Sequence, residues 1–360
     1  MSELYHVSST PHVRGKVGTS SIMYDVAIAL LPAVGFGVAH FGLTALLVVI
    51  FTVASTILSE YIYESLMGRA VTISDGSALV TGLILALNMP PTVPLWMPVL
   101  GGVFAIVVVK QLYGGLGQNF MNPALAARCF LLISFTGQMS SFYDPAIDAV
   151  SSATPLALMR AQGLAGLAQV GGAASVVSAG GGALAASSGG GALAASLGGG
   201  VFSASSYWAG LSKLILGTIP GTIGEVSTVA LLIGAAYMLV KGVINIRIPG
   251  VYILTFFLFY LVFGGFNLPM AFAQVFAGGL VFGAFFMATD YVTSPITPKG
   301  QVVFAIFLGV LTGVFRLMGG SPEGVSYAIL LGNMVTPLIE KVTMPRAFGK
   351  EKVAKNKAVA

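Results

Sequence analysis

The chain has 360 residues, 56% of them hydrophobic and only 8% charged, with a formal net charge of +5 and a mean hydropathy of +0.93. An average soluble domain carries about 25% charged residues, so a soluble fold of this length could not be covered by the charge available. The solvent for most of the chain is hydrocarbon, where backbone polar groups must be satisfied internally, and this predicts an all-α integral membrane protein. The one cysteine, Cys129, excludes a disulfide framework. His6, His12 and His40 lack metal-ligand spacing, which argues against a haem held by paired intramembrane histidines. A pI near 9.3 does not point to nucleic acid, because the basic residues gather in loops and tails on one side.

A membrane-spanning helix needs about 20 mainly apolar residues. Hydropathy predicts ten such spans, at 22–42, 44–66, 76–91, 95–113, 120–136, 226–245, 249–265, 268–288, 302–318 and 325–341, the third and fifth being short. The first apolar run begins near Ile22 and is followed by many more, so it reads as a span rather than a cleavable signal. Thirteen of the 17 Lys and Arg fall on the side of the N-terminus; Arg160, Lys213 and Arg316 fall on the other side, and Arg128 lies within the fifth span. Positive charge marks the cytoplasmic side, which places both termini inside. The expected organisation is a tail at 1–21, a five-helix repeat at 22–136, an outer loop at 137–224, a second five-helix repeat at 225–342 and a basic tail at 343–360.

Within the outer loop GGGALAAS occurs at 180–187 and again at 189–196, and no charge intervenes between Arg160 and Lys213. Such sequence has little large apolar surface to bury and reads as a flexible insertion. The halves resemble each other faintly: VTGLILALNMPPTVP at 80–94 parallels VFGAFFMATDYVTSP at 281–295, and KQLYGG at 110–115 parallels FRLMGG at 315–320. Five spans per half makes the repeats inverted, an arrangement that places interrupted helices and binding sites near the midplane. Gln118, Asn119, Asn122 and Asn333 suit a broken helix, or more plainly hydrogen bonds between helices.

Just after the fifth span stands Asp148-Ala149-Val150-Ser151-Ser152-Ala153-Thr154-Pro155. Small residues leave this backbone accessible, and Pro155 disfavours helix at Thr154. The plain alternative makes Thr154 the N-cap of a helix that starts at Pro155. Two further features carry chemistry. Asp75 and Asp290 fall at the inner ends of the third and eighth spans, and Arg128 lies inside the fifth, where a charge is expensive. They read either as an ion path or pocket, or as a helix cap (Asp75) and a structural pair (Arg128). Asp25 and Glu225, near span ends, are expected to be solvated or capping.

D-x-x-S-S-A-T is similar to the recognition motif of flavin transferases. With SDGSALVTGLILALNMPP (74–91), KQLYGGLGQNFMNPALAARCFL (110–131), ATDYVTSPITPKG (288–300) and EGVSYAILLGNMVTPLIE (323–340), the chain resembles the D subunit of the Rnf complex (the RnfD/NqrB family) and its relative, the B subunit of the sodium-pumping NADH:quinone oxidoreductase. The short stretch before the first span favours the Rnf subunit. The resemblance implies FMN joined to Thr154 by a phosphoester, with Asp148, Ser151, Ser152 and Ala153 as the recognition strand. It further implies riboflavin bound without a covalent link, partner subunits A, B, C, E and G, a flavin transferase for maturation, and coupled movement of Na+ or H+. No G-x-G-x-x-G after a strand and no iron–sulfur ligand set occurs here, so the chain is expected to be catalytically incomplete alone, and no metal site is expected. A rival reading is a passive channel of the urea or ammonium type, which also uses inverted five-span repeats.

Overall fold

The structure is a computed structural model that describes residues 18–144, 149–152, 154–163, 166–167, 170, 204–319 and 324–345. Asp148 and Ala153, the repeated Gly/Ala/Ser segment, residues 1–17 and residues 346–360 lie outside the described residues. The helices in chain order are α1 (Thr19–Phe41), α2 (Leu43–Leu66), α3 (Ser77–Leu87), α4 (Trp96–Val103) and α5 (Pro123–Ser134), then the single turn α6 (Thr136–Met139). A small antiparallel hairpin follows, β1 (Phe142–Asp144) with β2 (Ala149–Ser152), pairing Phe142 with Ser152 and Asp144 with Ala149. Then come α7 (Pro155–Gln162), α8 (Ala204–Leu216), α9 (Thr228–Val240), α10 (Arg247–Phe263), α11 (Leu268–Phe276), α12 (Leu280–Phe282), α13 (Pro298–Met318) and α14 (Val325–Thr343). The described residues are helical throughout apart from that hairpin and the connecting loops.

Helix starts follow a local rule. Asn122, Thr154 and Thr297 each stand immediately before a proline, and each accepts first-turn N–H bonds, from Ala124 (3.1 Å), Ala157 (3.2 Å) and Gly300 (3.0 Å) respectively. A short polar side chain satisfies an orphan amide there, and proline in the first turn gives up none that the helix needs. Two helices change winding part-way. Helix α4 continues as a π-helix over Phe104–Gln111, and α12 as another over Gly283–Met287.

Among the described residues, three helices, α1, α2 and α13, are each long and apolar enough to cross a membrane, and α11 with α12 gives a fourth crossing if the pair is taken as one span. Several expected spans are shorter than hydropathy suggests. Helix α3 has 11 residues, about 16 Å at 1.5 Å each, against an apolar core of about 30 Å. Its free carbonyls are met from elsewhere in the chain: the Ile223 N–H donates to the Met89 carbonyl (3.1 Å) and the Gly224 N–H to that of Leu87 (2.8 Å). The expected eighth span, 268–288, is not continuous. It bends by 62° between α11 and α12, where Gly278 adopts φ +66°, a conformation open chiefly to glycine.

Each half has its own packing. In the first, α2 lies against α3 and α4; in the second, α13 lies against α10 and α14. The halves meet along α1 with α9 and α5 with α14. Contact between α2 and α3 is close enough that a Cβ on Gly82 would sit 2.9 Å from the Val53 Cα, the small-residue packing of helices that have no water to expel. One apolar core joins both halves, with Leu30, Leu85, Met97, Leu125, Phe282 and Phe304 fully or almost fully buried.

Candidate functional site

Among the described residues, the buried charged groups gather at two ends of the bundle. Helix α3 spans the gap, with Ser77 at one end and Asn88 just past the other, and α14 runs through the same region in the opposite sense, from Ser326 beside Arg128 to Asn333 beside Asn122.

At the end that carries the hairpin, Thr154 occupies the turn between β2 and α7. Its backbone is extended (φ −61°, ψ 151°) and its hydroxyl accepts the Ala157 N–H at 3.2 Å. The side chain is 9% exposed. Beside it is a cavity of about 20 Å3 walled by Thr154, Leu156, Pro220, Glu225 and Gly278. Ser151 and Ser152 lie in β2. Strand β2 and the helix cap are therefore both built from the motif, while Asp148 and Ala153 fall outside the described residues.

Behind the cavity is the pair expected only as an alternative. Arg128, 4% exposed in α5, reaches Glu225, 6% exposed just before α9, at 3.4 Å. It also donates to Asn88 Oδ1 (2.6 Å) and Ser326 Oγ (2.9 Å). This tie joins α3, α5, the entry to α9 and the start of α14. Glu225, expected at a solvated or capping position, is instead buried because the segment it belongs to folds back over the end of α3. Its carboxylate also faces Gly279, where any Cβ would collide with Oε1, so the N-terminal end of α12 has a negative charge beside it, the favourable sign for a helix start.

The C-terminal end of α11, across the break, has the opposite partner. Arg316, 5% exposed, donates to the Gln274 and Ala277 carbonyls and lies 4.9 Å over the Phe256 ring. Sequence alone placed Arg316 in an outer segment; the structure turns it inward because those carbonyls, stripped of helix partners by the bend, need donors.

At the opposite end Asp75 is the local cap of α3: its Oδ1 accepts the Ser77 N–H (2.7 Å) and hydroxyl (2.6 Å). Asp290, after the π-turn that follows α12, accepts the Val292 N–H (3.3 Å) and the Thr293 hydroxyl (3.2 Å). Burial pushes its carboxyl above the ordinary aspartate range, and those two bonds pull partly against that. Asp290 and Ser77 line one cavity with Lys110, Asn119 and Asn122; Asn119 also lines a neighbouring one, of about 340 Å3, with Tyr291, Ser294, Asn333, Thr336 and Glu340. With its amide turned so that the oxygen faces α5, Asn333 accepts the Asn122 N–H at 3.2 Å, which links the two halves. Among the described residues, no cluster of His, Cys, Asp or Glu is arranged to hold a metal ion.

Three residues here escaped sequence reasoning. Lys110, counted with the cytoplasmic loops, is 2% exposed; its ammonium donates to Glu60 Oε1 at 2.6 Å, and Glu60 is 0% exposed. Glu64, one turn on, takes the Thr72 hydroxyl at 2.6 Å. The signal was present as two acids at i, i+4 spacing inside an apolar stretch, where intramembrane charge is costly and usually partnered. The partner could not be read, because Lys110 is 50 residues away and sits at the end of a helix.

Half-length helices, an interrupted helix with a charge beside each broken end, and ion pairs sealed within apolar packing define a polytopic helical membrane protein rather than a soluble bundle. A family model described as the NQR2, RnfD, RnfE family matches residues 6–349, so the chain belongs to that family. It is 44% identical over 350 residues to the D subunit of the Na(+)-translocating ferredoxin:NAD(+) oxidoreductase complex of Acetobacterium woodii, covering 97% of this chain and 96% of that one. It is 41% identical over 352 residues to the D subunit of the proton-translocating ferredoxin:NAD(+) oxidoreductase complex of Clostridium ljungdahlii, covering 96% of each. With the D subunit of the ion-translocating oxidoreductase complex of Halorhodospira halophila the identity is 35% over 360 residues, covering 98% and 97%.

Proposed function

We propose that this chain is the D-type membrane subunit of an ion-translocating ferredoxin:NAD+ oxidoreductase, carrying electrons through FMN esterified to Thr154. The observation that carries this reading is the place of Thr154: a hydroxyl that caps the N-terminal end of α7, two residues beyond β2, the strand that holds Ala149–Ser152 of D-x-x-S-S-A-T. Relatives at 35–44% identity over nearly the full length, named as D subunits of such complexes, support it.

The residues present fit the group. A phosphoester on Thr154 would stand at a helix N-terminus, where free N–H groups and the helix dipole favour an anion. Its oxygens could take over the bond that the hydroxyl now accepts from Ala157. The cavity beside Thr154 is far too small for an isoalloxazine ring, so the ring would project away from the bundle, toward partner subunits. When bound, FMN supplies one-electron chemistry that no side chain here offers. The chain's own contribution is to fix the attachment point: β2 and α7 hold Thr154, and the Arg128–Glu225 pair braces the floor beneath it.

Riboflavin has no phosphate and asks for uncharged partners. The amides and hydroxyls of Asn119, Asn333, Ser294 and Thr336 around the larger cavity have that chemistry, and we assign the second flavin there. Arg128 is committed to its structural tie, so Asp75 and Asp290 are the better candidates of the three for an ion path. The complex would lie in the bacterial cytoplasmic membrane, with both termini inside and the hairpin outside, beside subunits A, B, C, E and G.

Mass spectrometry of the peptide containing Thr154, from cells with an active flavin transferase, should show an FMN adduct that is lost in Thr154→Val. An unmodified wild-type peptide from such cells removes the assignment.

A further inference from the structure

We infer that Glu60 is a proton-exchange site, reached from the cavity lined by Ser77 and Asp290 through Lys110 and Ser77. This deepens the proposed function and rests on it only for the link between that proton and electron flow.

Four observations converge. Glu60 lies in α2 with no exposure, and among the described residues its Oε2 has no hydrogen-bond partner. Its Oε1 accepts the Lys110 ammonium at 2.6 Å and the Gln111 amide at 2.9 Å. The Lys110 ammonium also reaches Ser77 Oγ at 2.5 Å, and that hydroxyl donates to Asp75 Oδ1 at 2.6 Å. Lys110 and Ser77 are walls of the cavity, whereas Glu60 is not. A continuous hydrogen-bonded chain thus runs from half-buried Asp75, past the cavity, to Glu60 Oε1, beside the Oε2 that nothing satisfies among the described residues.

Charge says what that oxygen lacks. The charged groups that act on Glu60 are Lys110, from the π-helix, Glu64, one turn along α2, and Asp75, from the loop before α3. Three carboxylates face one ammonium, and a buried unpaired charge is expensive. One proton on Oε2 cancels half of the excess. A sodium ion suits the place less well, because it would need several oxygens and would have to approach a carboxylate whose Oε1 already takes an ammonium.

The transfer balances without any other reactant. A Lys110 Nζ–H bond breaks as an O–H bond forms on Glu60 Oε1, which leaves a neutral amine and a neutral acid, and a half-turn of the carboxyl about Cγ–Cδ carries that O–H to the Oε2 position. The amine then takes a replacement proton through Ser77, and the net charge of the cluster rises by one. Reversal returns that proton to the cavity.

The test is infrared difference spectroscopy on the full chain within its complex, titrated over pH. A carboxyl C=O band from a protonated, weakly hydrogen-bonded acid should appear in the wild type, shift in heavy water, and be lost in Glu60→Gln. Ser77→Ala should keep the band and slow its exchange into heavy water, which a purely structural role for Ser77 would not do; should Glu60→Gln fail to assemble, this variant carries the test. A band that survives Glu60→Gln, an exchange rate unaffected in Ser77→Ala, or a band removed by sodium ions at fixed pH overturns the inference. A chain that keeps its Thr154 adduct but shows no Glu60 band sinks the proton site alone and leaves the proposed function standing.

Discussion

Thr154 carries two roles that substitution can separate. As a cap it needs only an oxygen acceptor within reach of the Ala157 N–H; as an attachment point it needs a hydroxyl. Asparagine caps helices at least as well as threonine, whereas alanine costs about 1 kcal/mol. Thr154→Asn should therefore lose the flavin adduct in peptide mapping while keeping the thermal stability of the wild-type apoprotein, and Thr154→Ala should lose both. Equal destabilisation in the two variants would show that the cap does not hold this turn. The motif and the proline after it were legible from the sequence because capping is a local matter. The same could be said of Asp75, whose bonds to Ser77 stay within two residues. Glu225 was not legible, since its environment comes from Arg128, 97 residues away.

At the scale of elements, the broken span between Leu268 and Met287 shows how a fold handles exposed helix ends in an apolar medium. Its 62° bend strips carbonyls at the end of α11, and Arg316 from α13 supplies them with donors. A hydrogen bond to a charged group contributes about 1.5–3 kcal/mol. Arg316→Met should then destabilise the protein by roughly 2–4 kcal/mol, read as a lowered midpoint of denaturant unfolding in detergent. An unchanged midpoint would mean that the carbonyls find other donors. Hydropathy predicted this segment as one span because it averages over residues, and the average hides a break at Gly278. The π-turns at 104–111 and 283–287 left no trace in the pattern of apolar residues, which serves an α-helix equally well.

Across the whole molecule, pH dependence should report how tertiary packing treats Asp290. Burial raises its carboxyl above the ordinary aspartate value. A group raised on folding contributes stability that is fully present below the unfolded value and is lost as pH rises through the folded one. Wild-type stability should thus fall across that interval, while Asp290→Asn should not show this loss and should be the more stable protein at neutral pH. Parallel stability curves for the two proteins would place Asp290 in a wet environment.

Composition and hydropathy by themselves determined that this chain is helical and lives in lipid, because so few charges cannot face water and hydrocarbon leaves the backbone no partner but itself. Local chemistry determined several helix starts, through a polar cap followed by proline, and the motif marked the turn at Thr154. Only the tertiary structure decided that Lys110 is buried rather than in a loop, that Arg316 turns inward, and that Arg128 and Glu225 lock four elements together. The physical reason is common to all three: a charge in an apolar interior is tolerable only beside its partner, and the partners are distant in sequence, so where each charge could rest was fixed by how the two halves pack.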